Sequence, residues 1–202
     1  MIRFERTEVM NLHNAIRGAR NPMNSWDRSD SFFEDGRFVL GPNDLDLAAR
    51  LCRSGSDHRK FIRQIFVSVD ITAPLYWWKE FDTYKVGTVA NSCSTMHKIQ
   101  AKEFTLEDFS TDHLSQTNLI IMKMVVDALN NARLDFLSQK DKRDWWQMIQ
   151  LLPSSYNQKR TVQLNYAVLK NIYHARRNHK LDEWHTFCHF IELLPHSELI
   201  TE

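Results

Sequence analysis

The chain has 202 residues, 43% hydrophobic and 11% aromatic, with five glycines and five prolines; this composition excludes a disordered chain and fits one well-filled core, read as a single domain over residues 1–202. Its 26 basic residues against 25 acidic ones leave a formal net charge of +1, so no global field draws a nucleic-acid polymer or an anionic membrane, and any anion must be met locally. Three cysteines without CxxC spacing argue against a disulfide scaffold, and with no signal-peptide core or long apolar run the expected setting is the cytoplasm.

Residues 2–9 alternate Ile2 and Phe4 with Arg3 and Glu5, which predicts an opening strand, followed by a helix from about Asn11 to Ala19. The turn-rich segment 20–38 reads as a loop that packs Trp26 and Phe32 back onto the body. In "PNDLDLAARLCRSG", Asn43 or Asp44 is the expected cap, Leu45, Ala48, Leu51 and Cys52 the buried stripe, and Gly55 the stop of a second helix. Residues 64–73 set Ile65, Val67, Val69 and Ile71 against Gln64, Ser68, Asp70 and Thr72, the alternation of a half-buried strand. Pro74 then opens an aromatic helix running to about Tyr84, and a loop begins at Gly87.

Thr105 caps a short turn, and residues 112–138 carry Leu114, Leu119, Met122, Val126, Leu129 and Phe136 near one stripe of a long helix. A helix over 141–153 ends at Pro153, and residues 156–164 form a strand with a polar face of Asn157, Lys159, Thr161 and Gln163. Such a face needs water or a ligand. Asn165 caps the next helix and "LDEWHTFCHFIELL" forms a last one. Few strands, separated by several helices, predict an α+β fold with an antiparallel sheet. The Gly-rich phosphate cradles GxGxxG and GxxxxGK[ST] are absent from the sequence.

Chemistry-bearing groups cluster in "GTVANSCSTMHK", residues 87–98. Cys93 with His97 four residues on could make an activated thiol, or Cys93 is an inert one. Glu80, Asp82 and Glu103 lack the spacing of a catalytic carboxylate pair. His185, Cys188 and His189 share a helix face, but no fourth metal ligand lies nearby, so no metal site is expected. Lys159 and Arg160 on one strand, with Arg176, Arg177, His179 and Lys180 at a helix end, suit a phosphate; the helix-end cations also suit the macrodipole without any ligand. Paired tryptophans at 77–78 and 145–146 are core or subunit-interface material, or stack a base.

From His58 through "IFVSVDITAPLYWWKEFDTYKVGTVANSCSTMH" the chain resembles the flavin-dependent thymidylate synthases. In that family a His-containing stretch leads into a strand, Ala-Pro, an aromatic helix and an Arg-His-Arg-x-x-Ser signature that ends in Ser-Gly-Arg-Tyr. Counted from Ala73-Pro74, the signature falls on Thr83, Tyr84, Lys85 and Thr88, and its end on Cys93, Ser94, Thr95 and Met96. "LLPSSYNQKRTVQLNYAVLKNIYHARR" is similar to the family's Leu-Pro, polar strand, Asn and helix ending in Arg, with Lys159 where an arginine is usual.

The resemblance implies FAD as cofactor, with His58, Asn165, Asn171 and Arg176 at cofactor positions. It places Glu80, Tyr84, Lys85, Thr88, Asn91, Ser92, Cys93, Ser94, Thr95, Lys159 and Arg160 around a nucleotide. It further implies a homotetramer of the kind carried by bacteriophages. Thr83 and Thr95 stand where the family has arginines, and Tyr84 where it has histidine. Each charge-assisted bond lost in this way is worth about 1.5–3 kcal/mol, which makes flavin doubtful. The expectation is a re-specified pocket that captures or metabolises a nucleotide. A flavoenzyme transferring a one-carbon unit to dUMP, and a ligand-free structural oligomer, are the alternatives.

Overall fold

A computed structural model describes residues 2–202. The elements in chain order are β1 (Arg3–Met10), α1 (Leu12–Ala19), β2 (Phe32–Glu34), β3 (Arg37–Val39), α2 (Pro42–Arg53), β4 (Phe66–Pro74), α3 (Leu75–Phe81), β5 (Val89–Ser92), α4 (Gln116–Gln139), α5 (Lys142–Leu151), β6 (Asn157–Asn165), α6 (Tyr166–Arg176), α7 (Asp182–Glu192) and α8 (Glu198–Thr201). One sheet has the order β1-β4-β6-β5. Its central pair is antiparallel: the Leu75 N–H donates to the Tyr156 carbonyl at one end and the Tyr166 N–H to the Ile65 carbonyl at the other. The fold is α+β with an antiparallel sheet, as the pattern of the chain predicts.

The chain folds into two compact units. The first comprises Ile71–Thr83 and Asn91–Arg160, with residues 2 and 3. Its core joins Met122, Val126, Leu129 and Ala132 of α4 to Met148 of α5 and to Ile99, Phe104 and Phe109 of the preceding loop. That loop is pinned to α4 by paired polar bonds. The Phe104 N–H donates to Asn130 Oδ1 and the Phe104 carbonyl accepts from Asn130 Nδ2, each at 2.9 Å, while Arg133 Nε donates to the Gln100 carbonyl. Trp77 and Trp78 of α3 are fully buried, with Phe81 beside them.

The second unit comprises Phe4–Asp70, Tyr84–Ala90 and Thr161–Glu202. Ile16, Ile62, Ile65, Val67, Leu164, Trp184 and Phe187 are among its buried residues. Asp70 is a polar member of this interior, accepting from Thr161 Oγ1 at 2.6 Å and from Arg6 Nη1 at 3.1 Å.

Several local expectations need correction. Residues 32–39 form a small antiparallel hairpin, Phe32 opposite Val39, rather than loop, because Asp35 and Gly36 both take positive φ and close a tight turn. Trp26 and Phe32 are half exposed rather than packed back. Helix α2 starts at Pro42 with Gly41 as its cap; Asp30 accepts from the Asn43 and Asp44 N–H groups, which frees Asp44 to turn inward. Helix α3 stops at Phe81, three residues short of Tyr84. Helix α4 begins at Gln116 with Ser115 accepting from the Asn118 N–H, so Leu114 lies outside its stripe. β5 and α8 are elements that alternation and cap signals did not mark.

Candidate functional site: a lysine-lined cavity on the first unit

The loop after Gly87 is seated on the polar strand. The Cys93 N–H donates to the Lys159 carbonyl at 2.9 Å, and Gln158 Nε2 donates to the Cys93 carbonyl at 2.9 Å. Gln158 is buried and its Oε1 accepts from Arg160 Nε at 3.0 Å. Arg160 in turn bonds Asp82 Oδ1 at 2.7 Å and lies 4.2 Å over the Trp78 ring. Both backbone groups of Cys93 are thereby fixed. Beyond it, Ser94 Oγ accepts from the Met96 and His97 N–H groups at 3.1 Å and sits 2.8 Å from His97 Nδ1.

This seating opens a cavity of about 560 Å³ within the first unit. Lys98, Lys102, Lys159 and His97 line it, with Glu103 and Asp108 as the carboxylates, so lysines outnumber carboxylates three to two. Ile99, Phe104 and Tyr156 supply an apolar wall, and Cys93, Ser94, Asn157 and Gln158 the neutral polar groups. Asp108 is held by the turn it caps, accepting from the Thr105 N–H at 2.8 Å and from Lys102 Nζ at 2.9 Å. That bond pushes the Lys102 pKa up, so its ammonium stays charged. Burial first, and the nearby Asp108 second, push the Tyr156 phenol up, so it is a neutral hydroxyl at physiological pH. Ser110 Oγ donates to Asn157 Oδ1 at 2.8 Å. The result is a concave, part-apolar site lined by lysine point charges, suited to a small anion carrying a flat ring.

Of the residues singled out by sequence, Cys93, Ser94 and Lys159 line this cavity. Glu80, Asn91, Ser92, Thr95 and Arg160 belong to the same unit without lining it. Lys98, Lys102, Tyr156 and Gln158 were not singled out as ligand contacts. For Lys102 the legible signal is the "TLED" capping box beside it, whose Asp108 accepts from the lysine.

Tyr84, Lys85, Thr88, His58, Asn165, Asn171 and Arg176 belong to the second unit. There Arg176 Nε donates to the Tyr84 hydroxyl at 2.9 Å, and the guanidinium stacks 4.7 Å from the Trp184 ring. Asn165 is buried, and its Oδ1 accepts from the Val168 N–H as the cap of α6. Gly87 lies against it with φ +79°; a Cβ there would fall 3.0 Å from Asn165 Nδ2. His58, Lys85 and Asn171 are exposed. Among these matched residues Lys85 is the one exposed ammonium, while the guanidinium and the capping amide are engaged by the protein itself. That donor set does not fit a flavin dinucleotide, whose phosphates and ring need several fixed charges and donors.

Cys188 is buried while His185 and His189 are exposed, and among the described residues no group of three or more His, Cys, Asp or Glu side chains could hold a metal ion. No helix among them is long and apolar enough to cross a membrane.

No family model matches the sequence, and no curated protein does. The fold does have solved counterparts. One is the flavin-dependent thymidylate synthase ThyX from Helicobacter pylori complexed with FAD and dUMP, at TM-score 0.71 and 20% identity over 97% of this chain and 98% of that one. A second structure of ThyX from Helicobacter pylori with FAD and dUMP gives TM-score 0.71 and 18% identity, over 100% and 97% of the two chains. The UMP/dUMP methylase PolB from Streptomyces cacaoi, bound with 5-Br dUMP, gives 0.61 and 13%, over 98% and 93%. The chain is folded as a flavin-dependent thymidylate synthase.

Proposed function

We propose that the cavity of the first unit binds a pyrimidine nucleoside monophosphate of the uridylate type, and that the protein is a homo-oligomeric nucleotide-binding protein acting in nucleotide capture or metabolism. The observation that carries this is the convergence of Lys98, Lys102 and Lys159 on one cavity with an aromatic wall. The lysines meet a phosphate as point charges, and Phe104 and Tyr156 offer apolar surface to a base. The neighbours of this fold are complexed with dUMP or 5-Br dUMP, which supports the same ligand class here.

Cys93 makes the test inexpensive. It is the exposed cysteine, whereas Cys52 and Cys188 are buried with thiols pushed up to about 11 by that burial. A thiol reagent at neutral pH therefore labels Cys93 first. Saturating dUMP or UMP is expected to slow that labelling and, at a hundred times the dissociation constant, to raise stability by about 2.7 kcal/mol. Labelling and melting that ignore every pyrimidine monophosphate would remove the proposal.

A further inference from the structure

We propose that Tyr84 closes the flavin position of this fold by capturing Arg176, so that the chain takes up no flavin. The resemblance places Tyr84 where the signature has a histidine, and Arg176 where the family has a helix-terminal arginine. Histidine cannot reach as far and offers no phenolic acceptor. Tyrosine does: its hydroxyl accepts from Arg176 Nε at 2.9 Å, and its ring lies 5.6 Å from the guanidinium carbon.

Trp184 adds a second ring. Its ring is 4.7 Å from the same guanidinium and meets Tyr84 edge-on at 6.1 Å. The cation is thus bonded to a phenol oxygen and held against two aromatic rings, an arrangement that engages it within the protein. A flavin phosphate or ring oxygen would have to take the guanidinium away from both.

The loop that follows is seated as tightly. Gly87 adopts φ +79° and approaches the Asn165 amide so closely that a methyl group would lie 3.0 Å from its nitrogen, tighter than ordinary van der Waals contact. Asn165 has already given its oxygen to the Val168 N–H. Two of the three polar groups that the resemblance assigns to the cofactor from β6 and α6, Asn165 and Arg176, are therefore parts of a lock between that loop and α6. This inference does not rest on the nucleotide reading, because the contacts that carry it, among Tyr84, Gly87, Asn165, Arg176 and Trp184, all lie in the second unit.

The experiment is uptake of FAD by the full chain, followed after desalting by visible absorbance and by quenching of flavin fluorescence. The wild type is expected to retain none. The double variant Thr83→Arg/Tyr84→His, which removes the acceptor and restores two signature groups, is expected to retain FAD roughly 100-fold more tightly, as two charge-assisted bonds would provide. Tyr84→Phe, which keeps the ring and loses only the hydroxyl, guards against a variant that misfolds; it is expected to gain weak flavin quenching. Stoichiometric FAD on the wild type overturns the proposal. So does the absence of flavin from all three proteins when the variants melt as the wild type does, because exclusion would then not lie at Tyr84. Protection of Cys93 by dUMP, measured on the same samples, reports on the cavity separately.

Discussion

Lys159 and Arg160 are adjacent cations on one strand, and a sequence pattern alone gives them the same role. The pleat separates them. Lys159 is half-buried at the cavity, whereas Arg160 is bonded to Asp82 and Gln158 and lies over Trp78. Lys159→Ala is expected to leave stability within about 0.5 kcal/mol of the wild type and to weaken dUMP binding roughly 10- to 100-fold. Arg160→Ala should do the reverse in its first effect: a loss of about 1–3 kcal/mol, since a buried amide and a cation–π contact lose their partner. It should also speed Cys93 labelling, because Gln158 no longer holds the Cys93 carbonyl in place. Urea denaturation and thiol kinetics on the two variants check both halves, and equal stability losses would contradict the division of roles. The alternation of the strand already set Lys159 on its polar face and Arg160 on the other; what was not legible is what packs on each side.

Elements with one strong physical cause were legible. The β-branched alternation of 65–71 marked β4, and Asn165 followed by an apolar run marked the cap and start of α6. What escaped was set by contacts between distant segments. Asp44 looks like a helix cap in the sequence, yet it is buried and accepts from Arg20 Nε at 2.5 Å, Ser29 Oγ at 2.6 Å and Ser31 Oγ at 2.5 Å. It is the anchor of the segment between α1 and α2, a role visible only once Asp30 has taken over capping. Burial alone would raise its pKa, but the hydrogen bonds from Ser29, Ser31 and Arg20 outweigh it and hold the carboxyl below its ordinary 3.8. A depressed carboxylate contributes stability that is present above the unfolded value and is lost as pH falls through the folded one. Stability is therefore expected to drop below about pH 4 through this group, and Asp44→Asn should flatten that part of the profile. At neutral pH the same variant leaves Arg20 buried beside a neutral amide and should cost about 3–5 kcal/mol. Denaturation at pH 7 and pH 3.5 reads both; a variant as acid-sensitive as the wild type would assign the effect to other carboxylates.

For the whole molecule, the decisive feature is a helix that is apolar on two sides. The inward stripe of α4, with Met122, Val126 and Leu129, fills the core of the first unit, and this was the stripe that periodicity picked out. Ile120, Ile121, Met124 and Leu134 are more than half exposed, and helical spacing places Ile120, Met124 and Leu134 close to the direction opposite that stripe. A monomer in water gains nothing by showing such a row, whereas a second copy would cover it. The homo-oligomer proposed above therefore has a concrete test. Met124→Glu should dissociate it, because covering an unpaired carboxylate costs several kcal/mol. The stability of the separated chain should change by no more than about 0.5 kcal/mol, since the residue is exposed there. Light scattering on the wild type and the variant reads the mass directly. A wild type that scatters as a single chain, or a variant that keeps the wild-type mass, would show that α4 does not make the contact.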